Sequence, residues 1–421
     1  MSQKVLDYSK YFASVTNRRR VNLIRKLSNI FFATPNAISL ASGMPNTETF
    51  PFKEITVTYS DSVQHKIENT ELAQALQYGS SQGFTPLIEQ YRTFQKYWHS
   101  PKRNDWDVLI TPGSQNGASK VFDMFIDEGQ PVMIQAPTYP GIISSVAPLQ
   151  PDYIEIQQDA HGVIPEEIKT ECERRLEKKL PLPKLLYVNP TGANPTGAVL
   201  SEERRREVYE LAQKYDFIIL EDDAYYFLHF MDEYPTSFLS LDTDGRVIRL
   251  DSFSKIMSAG IRLGVVTAHK EIIAKLTLHV ESTLLHTSSL SQMLMYKLFK
   301  SWTSEKFNDH FRTIQAFYRR KRDVMLELIE KHLTGLAEWY VPQGGMFFWI
   351  KVNGVNSVYD MVMKNCVKNG VFVLPGNAFN VDPDKPSQYL RICYSYATPE
   401  EIDKGLAVVR KAIQEESARV R

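Results

Sequence analysis

The sequence predicts an α/β protein: a large domain on a mainly parallel seven-stranded sheet covered by helices, followed by a smaller α+β domain. Three observations carry this expectation. Seven short apolar segments alternate with amphipathic helical patterns through the middle of the chain, the pattern of a doubly wound sheet. Those segments lack period-two alternation, as expected of strands covered on both faces. Beyond about residue 315 the pattern changes to one long helix and then aromatic strands separated by short helices.

Residues 1–45 read as an N-terminal arm, 46–315 as the large domain and 316–421 as the small one. The arm is basic, with Lys4, Lys10, Arg18, Arg19, Arg20, Arg25 and Lys26 against only Asp7. That composition suits a mitochondrial transit peptide or a basic surface arm equally. Thr85-Pro86 opens a helix, proline being favoured at the first position. The expected strands are Val108–Thr111, Pro131–Ala136, Tyr153–Ile156, Leu185–Val188, Phe217–Leu220, Val247–Leu250 and Leu263–Thr267. Between them, Gln115–Asp127 places Ala118, Val121, Phe122, Phe125 and Ile126 on one helical face, with Ser114 positioned to cap it. Glu202–Tyr215 has Ser201 as its N-cap and two glutamates in its first turn. Ser304 to Leu333 reads as a single helix about 45 Å long. Strands Met346–Val352, Val371–Leu374 and Leu390–Tyr394 and a helix from Pro399 to about Gln414 complete the small domain.

Composition narrows the function classes. The chain has 421 residues, 43% of them hydrophobic, enough to bury a core without disulfides or structural metals. Its 49 Lys+Arg balance 49 Asp+Glu, so no global field attracts nucleic acid. No apolar run approaches the roughly 20 residues that cross a bilayer. The cysteines, Cys172, Cys366 and Cys393, form no CxxC pair and read as reduced thiols of a reducing compartment.

In an open α/β sheet, ligands bind beyond the carboxyl ends of the strands. In order, those ends carry Pro112-Gly113-Ser114-Gln115, Pro137-Thr138-Tyr139, the loop Asn189 to Gly197, Glu221 to Tyr225, and Asp251-Ser252-Phe253-Ser254-Lys255, with Arg262 shortly after. The inventory suits pyridoxal 5'-phosphate, with no metal. Lys255 is the amine for its aldehyde. Ser114 and Gln115 at a helix N-terminus, with Ser252, Ser254 and Arg262, suit its phosphate. Asp222 suits its ring nitrogen, which a carboxylate keeps protonated. Asn194 and Tyr225 suit the ring 3-oxygen, and Tyr139 can stack on the ring. Lys255, Asp222 and Tyr139 form the expected catalytic set.

The segments Tyr187–Gly197 (YVNPTGANPTG), Glu221–Tyr226 (EDDAYY), Asp251–Lys255 (DSFSK), Ser258–Gly264 (SAGIRLG) and Leu374–Phe379 (LPGNAF) resemble the fold type I, class I/II aminotransferases. The nearer resemblance is to kynurenine/2-aminoadipate and fungal aromatic aminotransferases. Ser39–Asn46 (SLASGMPN), Ala75–Gly83 (ALQYGSSQG), Gly345–Trp349 (GMFFW) and Tyr389–Arg391 (YLR) add to it. The resemblance implies that Arg391 clamps the substrate α-carboxylate as a bidentate fork, with Asn194 beside it. It implies that Tyr78 reaches the phosphate of a neighbouring subunit, making the protein a homodimer. It implies Gly43 and Phe347 in the substrate pocket, and Arg25 near the substrate side chain. Ala224 stands where proline is common in these relatives, and the Asn189-Pro190-Thr191 wording differs from the animal ones; neither change touches a group that does chemistry.

The expected reaction is ping-pong transamination of large L-amino acids (kynurenine, 2-aminoadipate, aromatic residues, methionine) with 2-oxoglutarate or another 2-oxo acid as acceptor. The alternatives are a cysteine-conjugate β-lyase with the same cofactor and, more remotely, a ligand-sensing regulator built on such a domain. The partners are amino and 2-oxo acids and a second copy of the chain, with no nucleic acid and no membrane. The expected location is the cytoplasm, with the mitochondrial matrix as the alternative.

Overall fold

The computed structural model describes residues 6–38, 40–41 and 43–420; Lys4, Ser39 and Ser42 of the segments quoted above lie outside them. Its strands run in chain order as β1 (Glu54–Thr58), β2 (Gln64–Glu68), β3 (Trp106–Thr111), β4 (Pro131–Ala136), β5 (Asp152–Asp159), β6 (Gly162–Val163) and β7 (Leu185–Val188). They continue as β8 (Ile218–Asp222), β9 (Val247–Ser252), β10 (Gly264–His269), β11 (Ala337–Trp339), β12 (Phe347–Val352), β13 (Leu374–Pro375) and β14 (Tyr389–Cys393). All seven expected strands form, and β6, too short to leave a periodic signal, is an eighth. Every residue of β4, β7, β8, β9 and β10 is buried, which is why these segments read as unbroken apolar runs.

The chain divides into two compact units, Met1–Asp127 with Ser237–Asn308, and Glu128–Thr236 with Asp309–Arg421. In the first unit β10 pairs antiparallel with both β3 and β9, and β1 with β2 forms an antiparallel hairpin. The described part of the basic N-terminal segment is built into this unit: Tyr8, Tyr11 and Phe12 are buried, and the Tyr8 hydroxyl donates to the Gly245 carbonyl at 2.8 Å.

In the second unit β4 pairs parallel with β5 and β7, and β7 parallel with β8, while β6 turns back against β5. The small sheet β11-β12-β14-β13 is antiparallel throughout. Helices Ser304–Leu333 and Pro399–Val420 contribute Met325, Ile329, Leu333, Ile402, Leu406, Val409 and Ile413 to one core with Phe348, Ile350, Leu390 and Ile392 of that sheet. Residues 371–373, expected as strand, stay outside β13.

Local signals mostly hold. Pro86 sits in the first turn of helix Thr85–His99, and Ser201 caps helix Glu202–Tyr215 by accepting from the Arg204 N–H. Ser114 does not cap its helix. Gly113, at φ +97°, takes the N-cap position of helix Ser114–Phe125, because the chain enters there through a conformation closed to most side chains.

Candidate active site

In the first unit the polypeptide leaves β3 through Gly113 into the N-terminus of helix Ser114–Phe125. Gly264 faces Thr111 across the ladder, and a Cβ at 264 would stand 2.6 Å from the Gly113 carbon and the Ser114 nitrogen. The glycine thus lets β10 start directly against the helix end. Arg262, at φ +52°, lays its guanidinium beside Gly113. It donates to Ser254 Oγ (3.3 Å), the Ala259 carbonyl (3.3 Å) and the Pro112 carbonyl (3.2 Å). All three acceptors are neutral, and the guanidinium is exposed, open to an anion.

The Ser254 N–H donates to Ser252 Oγ at 3.3 Å. Lys255, half-buried, rides a turn closed by Met257 and Ser258 N–H groups on the Phe253 carbonyl. Beneath it, buried Asp251 accepts from Arg249 Nε and Gln95 Nε2, pinning the end of β9. Ser114, Gln115, Ser252, Ser254, Lys255 and Arg262 are therefore carried by the ends and loops of three paired strands of one unit. Tyr78 is exposed, its ring edge-on to His286, and Gly43 is exposed with open space around it. Arg25 is 8% exposed and donates to the Gly79 carbonyl (3.0 Å) and Ser81 Oγ (2.8 Å); burial pulls its pKa down.

The second unit gathers Tyr139, Asn194, Asp222, Tyr225, Phe347 and Arg391. Asp222 ends β8 and accepts the Tyr187 hydroxyl at 2.9 Å. Burial, and then the Asp222 charge, hold the Tyr187 phenol well above its usual range. Arg391, on β14, donates through Nη1 to Asn194 Oδ1 at 2.7 Å. A guanidinium offers only donors, so the Asn194 oxygen must face it and the amide nitrogen stays available to donate elsewhere.

Arg391 lies over the Phe347 ring at 4.2 Å and the Phe379 ring at 5.1 Å. Its Nε is buried without a partner among the described residues, and burial lowers its pKa. Tyr225 meets the Phe347 ring edge-on at 6.0 Å, and burial pushes its phenol up. Tyr139 precedes helix Pro140–Val146, its ring folded over Gly141 where a Cβ would stand 2.5 Å from the ring. Three contributors escaped sequence reasoning. Tyr187 and Phe379 stood inside quoted motifs without a role, and Asn189 was set aside as a difference in wording.

One unit carries a half-buried arginine against two aromatic rings and an acid at a strand end, and the other a lysine on a strand-end turn and an arginine beside a helix N-terminus, groups suited to an enzyme that acts on amino acids through a phosphorylated aldehyde cofactor. The sequence profile of aminotransferase class I and II matches residues 35–409. The chain is 37% identical to the mitochondrial kynurenine/alpha-aminoadipate aminotransferase of Bos taurus, covering 97% of this chain and 100% of that one. It is 31% identical to an aromatic amino acid aminotransferase of Dictyostelium discoideum, over 95% of this chain and 86% of that one. Among solved structures, the kynurenine aminotransferase of Pyrococcus horikoshii, in complex with PMP, superposes with a TM-score of 0.78 at 30% identity, covering 97% and 98% of the two chains. The chain belongs to the class I and II aminotransferases, and pyridoxal 5'-phosphate is its cofactor. No helix among the described residues is long and apolar enough to cross a membrane.

Proposed function

We propose that this aminotransferase moves the amino group of large L-amino acids (kynurenine, 2-aminoadipate, aromatic residues and methionine) to 2-oxoglutarate or another 2-oxo acid, one substrate leaving before the next binds. The carrying observation is Arg391. Arg391 is half-buried, with its Nε buried and unpartnered among the described residues, and a charge drawn out of water costs free energy unless an anion meets it; its side-chain bond goes to a neutral amide oxygen. An α-carboxylate supplies the missing charge, and both substrate classes carry one. The Phe347 and Phe379 rings beside it favour bulky donors. The bovine and Pyrococcus relatives, named for kynurenine and aminoadipate, support those donors, and the Dictyostelium relative supports aromatic ones.

The residues fit the cofactor. From the first unit, Ser114, Gln115, Ser252, Ser254 and Arg262 would hold its phosphate, the Arg262 charge and the helix end being the attraction. From the second, Asp222 would keep the ring nitrogen protonated, Asn194 and Tyr225 would donate to the 3-oxygen, and Tyr139 would cover the ring. When bound, the cofactor supplies an aldehyde for the amino group and a ring that takes up electron density from Cα. Lys255 would anchor it; displaced by the incoming amino group, its freed amine would take the Cα proton and deliver it to the cofactor's aldehyde carbon, as a base already placed at the reacting atoms. Arg391 grips the carboxylate and so fixes which Cα bond faces Lys255.

Residues 1–45, 46–315 and 316–421 serve in this scheme as arm, cofactor domain and small domain. Gly43, Phe347 and Arg25 border the substrate side chain, and Arg25 would turn from its neutral partners toward a distal carboxylate. Tyr78 would act across a two-fold homodimer. The solvent-facing stripe Leu23, Ile24, Leu27 and Ile30 of helix Leu23–Ala33 supports such a dimer. The cytoplasm is the proposed location, and the mitochondrial bovine relative supports the mitochondrial matrix as the alternative.

The test is to purify the protein, record the visible absorbance of bound cofactor, and screen donors against 2-oxoglutarate. Lys255→Ala is expected to lose the lysine-bound absorbance and at least ~10³-fold of the rate. Wild-type turnover in that variant would sink the assignment. Release of a 2-oxo acid without any acceptor would identify a lyase instead.

A further inference from the structure

We propose that Asn189 is a positioning residue for the transamination: its one side-chain amide ties Asn194 to Asp222 and sets how that pair holds the cofactor ring. The inference rests on the cofactor roles proposed above for Asn194 and Asp222.

The ladder between β7 and β8 pairs Val188 with Glu221 and then stops, because the chain turns away at Pro190. The next rung would have joined residue 189 to residue 222. Asn189 replaces that rung with its side chain. Its Nδ2 donates to the Asp222 carbonyl at 2.7 Å, as a backbone N–H would. Its Oδ1 accepts the Asn194 N–H at 2.8 Å. The two bonds fix the amide's orientation, since a carbonyl requires a donor and an N–H requires an acceptor.

Asn189, Asn194 and Asp222 are 6%, 8% and 6% exposed, so water is not at hand to replace either bond. The clamp has its own support. The Asn189 N–H donates to Gln135 Oε1 (2.9 Å), and Gln135 Nε2 donates to Gln158 Oε1 (2.8 Å). That same oxygen accepts Thr196 Oγ1 (3.0 Å), and Gln158 Nε2 donates to the Pro137 carbonyl (2.8 Å). Asn189 touches no atom that reacts. It acts through the backbone of the two residues proposed to meet opposite sides of the ring.

The consequence is electronic. A protonated ring nitrogen and a donor at the 3-oxygen both favour the cofactor form whose C=N nitrogen has lost its proton. Loosening either partner therefore raises the pH midpoint of the bound cofactor's visible absorbance. Asn189→Ala is expected to raise that midpoint by about 0.5–1 unit, the size of one weakened hydrogen bond. It is expected to lower kcat about 3- to 10-fold with little change in KM, a loss at the reacting atoms and not in substrate binding.

Asn189→Leu, which keeps the volume and removes both bonds, is the second variant should alanine fail to fold, and its midpoint must rise as well. Gln158→Ala is the control: it weakens the outer network and the melting temperature while leaving both Asn189 bonds. A folded Asn189 variant with the wild-type midpoint overturns the proposal. So does an equal midpoint shift in Gln158→Ala, which would make the effect one of stability. A wild-type protein without Lys255-dependent absorbance would sink the functional reading itself, a different failure from either of these.

Discussion

Residues 253–264 of the first unit hold their shape mostly through bonds that span few positions, Arg262 to Ser254 and Ala259 and Ser258 to Phe253, with Arg262 to the Pro112 carbonyl as the long-range tie. Ser258, Ala259, Gly260 and Arg262 are exposed. Residues 189–200 of the second unit are buried without exception. Asn189 and Asn194 bond into β4, β8 and β14, and Gly192 meets Gly344 and Gly345 backbone to backbone. Lys255 and Ser254, proposed for the cofactor's aldehyde and phosphate, thus stand on a half-buried turn with an exposed edge and mostly short-range ties, and the residues proposed to meet its ring on a long-range lock. The difference has a chemical logic. A phosphate anchor works through charge and tolerates adjustment, whereas groups that stabilise charge during reaction are useful only when placed beforehand.

Arg391→Ala breaks the second region at its charge. The lost bidentate grip, at roughly 1.5–3 kcal/mol for a charged hydrogen bond, predicts about a 10²-fold fall in kcat/KM. KM should rise for the amino donor and the 2-oxo acid alike, because both present the same carboxylate. Arg391→Lys restores charge without the fork, and recovery of less than about tenfold is expected. Steady-state kinetics with both substrates varied is the check; a rise confined to the donor would mean that a different cation receives the acceptor.

Glycine substitutions compare the two loops directly. Gly192 has φ +59°, and a Cβ there would stand 2.6 Å from backbone atoms of Gly344 and Gly345, which have no side-chain freedom to yield. Gly192→Ala is expected to cost about 2–4 kcal/mol of stability. Gly260 has only Ser258 Oγ, at 3.9 Å, near an added Cβ. Gly260→Ala should stay within about 0.5 kcal/mol of wild type. Denaturant melts of the two variants test the contrast, and equal losses would erase it.

The same contrast explains what was legible in the sequence. The elements of the first loop are contiguous: DSFSK and the arginine seven residues on carry their chemistry in a local pattern. The buried strands announce themselves as apolar runs. Asn189, Gln135 and Gln158 become partners only through the register of β7, β4 and β5, which no spacing along the chain encodes. The capping role given to Ser114 failed for a related reason: side-chain type favoured serine, and the φ +97° entry made Gly113 the cap instead. Tyr187 reaches Asp222 because it faces Leu220 across the ladder and Asp222 lies two residues on, on the same side. Strand register, not composition, made that pair.

The smallest expected effect concerns the acid edge of stability in the second unit. His229 is fully buried and bridges Gly344, the residue against which Gly192 packs. Burial, then the Arg312 charge, lower its pKa to about 4; the Met231 backbone works the other way, and the Arg319 charge adds a smaller lowering. A base whose folded pKa is depressed binds its proton more readily when unfolded. Its contribution is therefore complete above the unfolded value near 6.5 and is lost as pH falls from there toward 4. The full linkage limit is about 3 kcal/mol, and 1–2 kcal/mol is the expected share after local relaxation. His229→Phe, which cannot charge and keeps the edge-on contact with Tyr234, should flatten the melting temperature between pH 6.5 and 4.5. It should leave the profile above pH 7 unchanged. His279 of the first unit, also near 4 through burial and the Arg19 and Lys120 charges, lies on helix Lys270–Thr283 and not on residues 253–264. A His279 variant should flatten the same melt without protecting activity, while the His229 variant protects both, because protonating His229 strains the Gly344 support against which residues 189–200, proposed to meet the cofactor ring, pack at Gly192. Equal protection of activity by the two variants would show that acid acts on the fold at large and not on that loop.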